Sequence, residues 1–185
     1  MSTLGIIVLV IVSVLLGFFI NSVIYYAKQG MKVGAPAPAF SAKLLDGTRI
    51  SQTDWDRPSR PLLLCFMSPR CVACRRLAPF LNGLNREYPD ADLDVLILGI
   101  NGSRADFKRW RDSLSLNLQV AVDEDGTTRQ RYSVYSLPAG FLISAGGVVK
   151  QTYRGYRAGD DEMFEALFRE RTVTSAARKP AVPVS

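Results

Sequence analysis

The stretch Pro61-Leu62-Leu63-Leu64-Cys65-Phe66-Met67-Ser68-Pro69-Arg70-Cys71-Val72-Ala73-Cys74 changes its period part-way along. Pro61–Met67 is a continuous apolar run of strand length, the pattern of a strand buried on both faces. From there Cys71, Cys74, Leu77, Ala78, Leu81 and Leu84 recur at helical spacing, with Arg75, Arg76, Asn82 and Arg86 on other faces. Ser68-Pro69-Arg70 is the turn between them. A buried strand therefore runs into an amphipathic helix whose first turn carries two cysteines. Pro79 lies inside the helical pattern and is expected to kink or divide it.

On the N-terminal side, Gly34-Ala35-Pro36-Ala37-Pro38-Ala39-Phe40 must be extended, since each proline fixes its own φ and biases its predecessor away from helix. Asp46-Gly47 predicts a tight turn between short strands over 40–45 and 48–51. On the C-terminal side, Leu93–Ile100 reads as a second buried strand. Ser103 with Asp106 starts a helix whose Phe107, Trp110 and Leu114 make one stripe. Leu118–Val122 is a third short strand, closed by Asp123-Glu124-Asp125-Gly126, and a brief helix follows over 127–132. Ala139–Ile143 and Val148–Tyr153 flank a glycine turn as a hairpin. Asp160-Asp161-Glu162 opens a last helix, its acids placed where the helix dipole favours them. The order predicts an α/β fold, a central mixed sheet with helices on both faces, in which the closing hairpin is an antiparallel edge. Residues 173–185 are small, polar and proline-containing, and read as a disordered tail.

No charged side chain occurs from Met1 to Ala27, and Leu4–Tyr25 is an apolar run of 22 residues. As a helix it reaches roughly 33 Å, enough to cross a hydrocarbon core of about 30 Å. Its uncharged start and long apolar core favour an uncleaved transmembrane anchor over a signal peptide. That anchor (1–27) and a juxtamembrane linker (28–33) precede the folded domain (34–172). The formal charge of +6 is largely an edge effect. Setting aside Lys28, Lys32, Arg178 and Lys179 leaves 19 basic against 17 acidic side chains, a net of +2. No basic stripe points to nucleic acid; the flanking lysines suit lipid headgroups.

The chain has three cysteines, Cys65, Cys71 and Cys74, and no histidine. A two-cysteine, two-histidine zinc site is excluded, as is a four-cysteine site within one chain. A haem attachment motif needs histidine where Arg75 stands, and cysteine–histidine nucleophilic catalysis lacks its base. No metal or cofactor is called for. What remains for Cys71-Val72-Ala73-Cys74 is redox exchange, or a chance pair of buried structural cysteines. Redox exchange needs one exposed cysteine with thiolate character and a second able to attack the mixed disulfide. Cys71 at a helix N-terminus meets unpaired backbone N–H groups and the positive end of the dipole. Cys74 lies one turn deeper on the same face. Arg70 and Arg75 add positive charge nearby that favours the thiolate, weakened by water.

Arg70-Cys71-Val72-Ala73-Cys74-Arg75-Arg76 after PLLLCFMSP, with Val33-Gly34-Ala35-Pro36-Ala37-Pro38-Ala39-Phe40 and Asp46-Gly47, resembles the bacterial membrane-tethered thioredoxin-like proteins. These are the TlpA- and ResA-type reductases and the MauD-type accessory protein of methylamine dehydrogenase maturation, the last being most similar around the motif. The resemblance spans about 33–170. It implies a thioredoxin-like fold and an oxidoreductase that reduces, forms or rearranges disulfides in client proteins outside the cytoplasm, with a membrane redox partner in reach. It implies Cys71 as the attacking and Cys74 as the resolving cysteine. Leu137-Pro138 would be a cis-proline pair that holds an extended substrate. Two departures stand out. Cys65 occupies the place of thioredoxin's buried acid and reads as a small buried hydrophobe. Val72-Ala73 replaces Gly-Pro, which leaves the direction of redox flux open.

Two rival functions differ in kind. A peroxiredoxin-like peroxidase shares the Gly-x-Pro-Ala-Pro-x-Phe opening, and Ser68 suits it, but Leu64 stands where its proline belongs and Cys74 has no role. A tethered assembly factor would hold a partner without turnover. Location rests on opposing signals. Lys28 and Lys32 follow the anchor and place the domain in the cytoplasm by the positive-inside rule. The resemblance places it in the periplasm, on a single-pass tether in the bacterial inner membrane. The second is preferred, because a catalytic cysteine pair on a membrane tether suits an oxidising compartment.

Overall fold

A computed structural model describes residues 3–27, 31–51 and 60–178. Lys28, Lys179 and the end of the expected tail lie outside the described residues. The chain forms two compact units that divide after Gly30.

The first unit is helix α1 (Thr3–Ala27), 25 residues long and so about 37 Å. Gly5–Ser22 is long and apolar enough to cross a membrane, and none of it is buried within the protein. The hydroxyl of Ser13, at mid-helix, donates to the Leu9 carbonyl at 2.9 Å and so needs no water.

The second unit contains strands β1 (Ser41–Leu44), β2 (Arg49–Ser51), β3 (Leu62–Met67), β4 (Asp94–Gly99), β5 (Gln119–Val122), β6 (Ala139–Ile143) and β7 (Val149–Arg154). Its helices are α2 (Val72–Glu87), α3 (Arg104–Ser113), α4 (Thr127–Arg131) and α5 (Asp160–Arg178). The seven strands make one sheet in the order β2-β1-β5-β4-β3-β6-β7. Strands β3, β4 and β5 are parallel, as two crossover helices require. The hairpin β6–β7 joins β3 antiparallel, as expected. The hairpin β1–β2 also joins the sheet antiparallel, against β5. The sheet therefore has antiparallel edges on both sides, where the sequence pattern indicated one. Which strand a hairpin joins is a non-local pairing that its own residues do not encode.

The apolar run of β3 is buried on both faces, and its period of two sorts the core. Leu63, Cys65 and Met67 face a cluster holding Cys74, Leu77 and Leu81 of α2, Phe107 and Trp110 of α3, and Phe164, Leu167 and Phe168 of α5. Leu62, Leu64 and Phe66 face the other, which holds Phe40, Tyr132, Val134 and Phe141. Helical cover is thus unequal. Three helices pack on one face, while extended chain and the C-cap of the five-residue α4 cover the other. The Tyr132 hydroxyl, donating to the Pro38 carbonyl at 2.8 Å, ties that extended chain down.

Pro79 does not divide α2, which is continuous from Val72 to Glu87. The carbonyl that loses its helical partner belongs to Arg75, an exposed residue, where water can take the bond. The tail does not begin at Val173, because α5 continues to Arg178. Ser175-Ala176-Ala177-Arg178 are adequate helix formers, and Thr172 and Thr174 return their hydroxyls to the carbonyls of Phe168 and Glu170.

Candidate active site

The site stands where β3 runs into α2. The chain turns through Ser68-Pro69-Arg70, closed by the Cys71 amide donating to the Ser68 carbonyl at 3.1 Å. Arg75 braces this turn from the helix, its Nε donating to the Pro69 carbonyl at 2.9 Å. Cys71 is the N-cap of α2, with extended backbone (φ −88°, ψ 117°) and its sulfur accepting the Cys74 amide at 3.2 Å. The cap bond directs a backbone hydrogen at this sulfur and satisfies one of the amides that a helix's first turn leaves unpaired.

All three cysteines are unbonded thiols. Cys71 is half-buried at the border of the helix-side core, and Cys74 is fully buried within it. An approaching disulfide therefore meets Cys71 first. Val72, between them, is 77% exposed and offers an apolar surface next to Cys71. Burial pushes the Cys74 thiol well above the ordinary cysteine range, and its hydrogen bond with Cys71 adds to this. A backbone hydrogen bond from Ser68 pulls the other way.

These opposed environments give a pH prediction. An acid whose pKa is raised stays protonated at neutral pH, and a protonated thiol does not attack a disulfide. Resolution of a Cys71 mixed disulfide by Cys74 is therefore expected to accelerate as pH rises from 7 to 9, by close to tenfold per unit. Quenching the single-turnover reaction with acid and counting the mixed disulfide checks this; a lifetime independent of pH would contradict it.

Cys65 is placed as a packing residue. It is 1% exposed in the middle of β3, opposite Ile97 on β4 and Gly140 on β6. A methyl group on Gly140 would lie 3.7 Å from the Cys65 sulfur and 3.2 Å from the Tyr153 ring. Burial pushes the Cys65 thiol up to about 12, so it cannot serve as the proton acceptor that a carboxylate would be. Cys65→Ala is expected to leave the reduction potential of Cys71 and Cys74 near wild type and to cost about 1 kcal/mol of stability. Redox titration and thermal unfolding of the variant test both halves.

The Leu137–Pro138 peptide bond is cis. Pro138 is buried, and its carbonyl accepts the Gly155 amide at 2.8 Å. Leu137 is half-buried and touches both core clusters. Cys71 and Leu137 thus share the border of the helix-side core. Arg70 is exposed, and its guanidinium makes no hydrogen bond or ion pair among the described residues. A cavity of about 330 Å³ opens beside the turn, between it and α3. Pro69, Arg70 and Arg75 form one wall; Asn101, Asp106, Arg109 and Trp110 form the other. The second wall was not legible in the sequence as part of a site. Ser103 and Asp106 announced only a helix start, and Trp110 only a core stripe.

Comparison with known proteins agrees with this geometry. The AhpC/TSA family profile matches residues 33–152. The chain belongs to the AhpC/TSA family. The thiol-disulfide oxidoreductase ResA of Bacillus cereus is 27% identical over 150 residues, covering 81% of this chain and 86% of the relative. ResA of Bacillus subtilis is 23% identical over 148 residues, 80% of this chain and 82% of its own. Among solved structures, a candidate thiol:disulfide interchange protein DsbE from Chlorobium tepidum superposes with a TM-score of 0.69 at 24% identity, covering 77% of this chain and 99% of that one. A secreted Mycobacterium tuberculosis disulfide oxidoreductase gives 0.61 at 19% identity over 71% of this chain and 95% of that one. The fold is thioredoxin-like, and with these relatives the chain is classed as a thiol-disulfide oxidoreductase.

Proposed function

We propose that this protein exchanges disulfides with client proteins through Cys71 and Cys74, on the outer side of a bacterial inner membrane to which α1 tethers it. The observation that carries the proposal is the unequal setting of the two sulfurs. Cys71 is reachable and capped by amide hydrogens, and Cys74 is buried one helical turn away.

In the reductive direction the Cys71 thiolate attacks one sulfur of a client disulfide. The client S–S bond breaks, a Cys71–client disulfide forms, and the second client sulfur leaves as a thiolate and takes up a proton. Cys74 then loses its proton and attacks the Cys71 sulfur. This forms the Cys71–Cys74 disulfide and releases the first client sulfur as a thiol. Two electrons have passed to the client, and a membrane redox partner returns the pair to dithiols. In the oxidative direction the same steps run backwards. Leu137, next to cis Pro138, supplies backbone to pair with the extended client, and Arg70 and Arg75 add positive charge beside the attacking sulfur.

Support for the compartment comes from the long apolar α1 and from the suitability of an oxidising space for such a pair. In intact cells, a Cys74→Ser variant is expected to accumulate client proteins linked to Cys71. A membrane-impermeant thiol reagent should reach Cys71 after mild reduction, and a phosphatase that needs periplasmic disulfides should be active when fused after Ser185. Protection of Cys71 until lysis, with an inactive fusion, places the domain in the cytoplasm. Turnover of peroxide by the pure protein, with none of a protein disulfide, would favour the peroxidase chemistry instead.

A further inference from the structure

The wall of the 330 Å³ cavity beside Cys71 is unusually one-sided in its hydrogen-bonding chemistry. Arg70, Arg75 and Arg109 bring three guanidinium groups to it, and a guanidinium has only donors. Arg75 uses Nε on the Pro69 carbonyl, which leaves its terminal nitrogens uncommitted among the described contacts. Trp110 also lines the cavity and is 4% exposed, so it contributes a buried aromatic side to the lining.

The one carboxylate in the wall is already committed. Asp106 accepts the Ser103 amide at 2.9 Å and the Ser103 hydroxyl at 2.7 Å, and it pairs with Arg109 at 2.6 Å. These bonds, chiefly those to Ser103, lower its pKa from the ordinary carboxylate value, so it stays ionised and orients Arg109. Asn101 is also committed through its oxygen, which accepts from Arg129 at 3.3 Å. Counting Asp106 against the three arginines leaves the cavity cationic. Its uncommitted charged groups are guanidinium cations.

Pro69 and Arg70 immediately precede Cys71, and Arg75 immediately follows Cys74. The cavity therefore borders the turn that carries Cys71, with Arg70, its chain neighbour, in the wall. We propose that this cavity is a carboxylate subsite that seats an acidic side chain of the protein client, lying close in sequence to the cysteine that Cys71 attacks. The proposal rests on the redox reading above and adds to it the chemistry by which clients are selected. A charge-assisted bidentate contact to a guanidinium suits a planar carboxylate. Bound there, the acidic group positions the client sulfur for attack without taking part in the exchange.

The test uses the reduced full-length protein in detergent and synthetic peptides, each closed by one disulfide. The peptides differ only in carrying Glu or Gln at one to three residues from the cysteines; a further peptide carries Glu six or more residues away. Wild type is expected to reduce the best near-Glu peptide about tenfold faster than its Gln counterpart, with no such gain from distant Glu. Arg109→Gln and Arg70→Gln should each bring the Glu-to-Gln ratio towards one; both residues are exposed, so neither change disturbs the core. Equal rates for near-Glu and Gln peptides would overturn the subsite while leaving the exchange chemistry standing. So would a preference that survives in both variants, or one shown by distant Glu. A preference confined to the disulfide of a small carboxylate-bearing thiol would overturn the protein client as the occupant. Failure to reduce any peptide would overturn the redox reading itself, and the subsite with it.

Discussion

Replacing Cys71 with serine is expected to abolish thiol–disulfide exchange, whereas replacing Cys74 with serine should leave the first chemical step nearly intact and stop the second. The asymmetry follows from position. Cys71 is the half-exposed N-cap whose sulfur accepts the Cys74 amide, and a serine hydroxyl there keeps the cap but cannot form a disulfide. Cys74 is 0% exposed and meets the client only after it is bound to Cys71. Cys74→Ser should therefore give a single burst of one client thiol per protein and then a stable mixed disulfide. Mass spectrometry of the intact protein detects that adduct, and a fluorogenic peptide disulfide reads the burst. Equal loss of the first step in both variants would contradict the division of roles. A Cys71→Ser protein that still rescues a deletion strain would point to an assembly factor that holds its partner without turnover.

Gly99→Ala is expected to be among the most damaging small substitutions in the chain. Gly99 ends β4, paired with Met67 and Val122, and a methyl group there would lie 2.5 Å from Cζ and 2.7 Å from Cε1 and Cε2 of Phe107. That ring is fully buried and packs edge-on against Trp110, at 5.8 Å between centroids. It cannot swing away without moving the tryptophan that lines the cavity. Overpacking of this kind should cost about 3 kcal/mol, or roughly a 10 °C fall in the unfolding midpoint for a chain of this size. Adding Phe107→Leu should recover part of the loss, because the two changes share one space. Tryptophan fluorescence during heating of the full-length protein in detergent measures both. A fall of less than a degree would mean that the ring has room to shift.

Much of this architecture was legible without coordinates, for local reasons. The apolar run Pro61–Met67 allows no exposed face, so β3 had to be central. The helical spacing of Cys71, Cys74, Leu77 and Leu81 put both cysteines on the core side of α2. The capping box of Ser103 and Asp106 marked the start of α3 as it stands. Proline inside α2 does not divide the helix where the lost bond faces solvent, and a small, polar stretch after Thr172 continues a helix already nucleated by a docked α5.

The sequence by itself determined where Cys71 and Cys74 stand and which is the more exposed, because that order follows from the N-cap and the helical period within a dozen residues. Only the tertiary structure decided that the N-terminal hairpin joins β5, that Cys65 sits over Gly140, and that α3 brings Arg109 and Trp110 beside Arg70 and Arg75. Those are contacts between residues far apart along the chain. They are set by which faces the sheet leaves open once β3, β4 and β5 have paired, and no local periodicity carries that information.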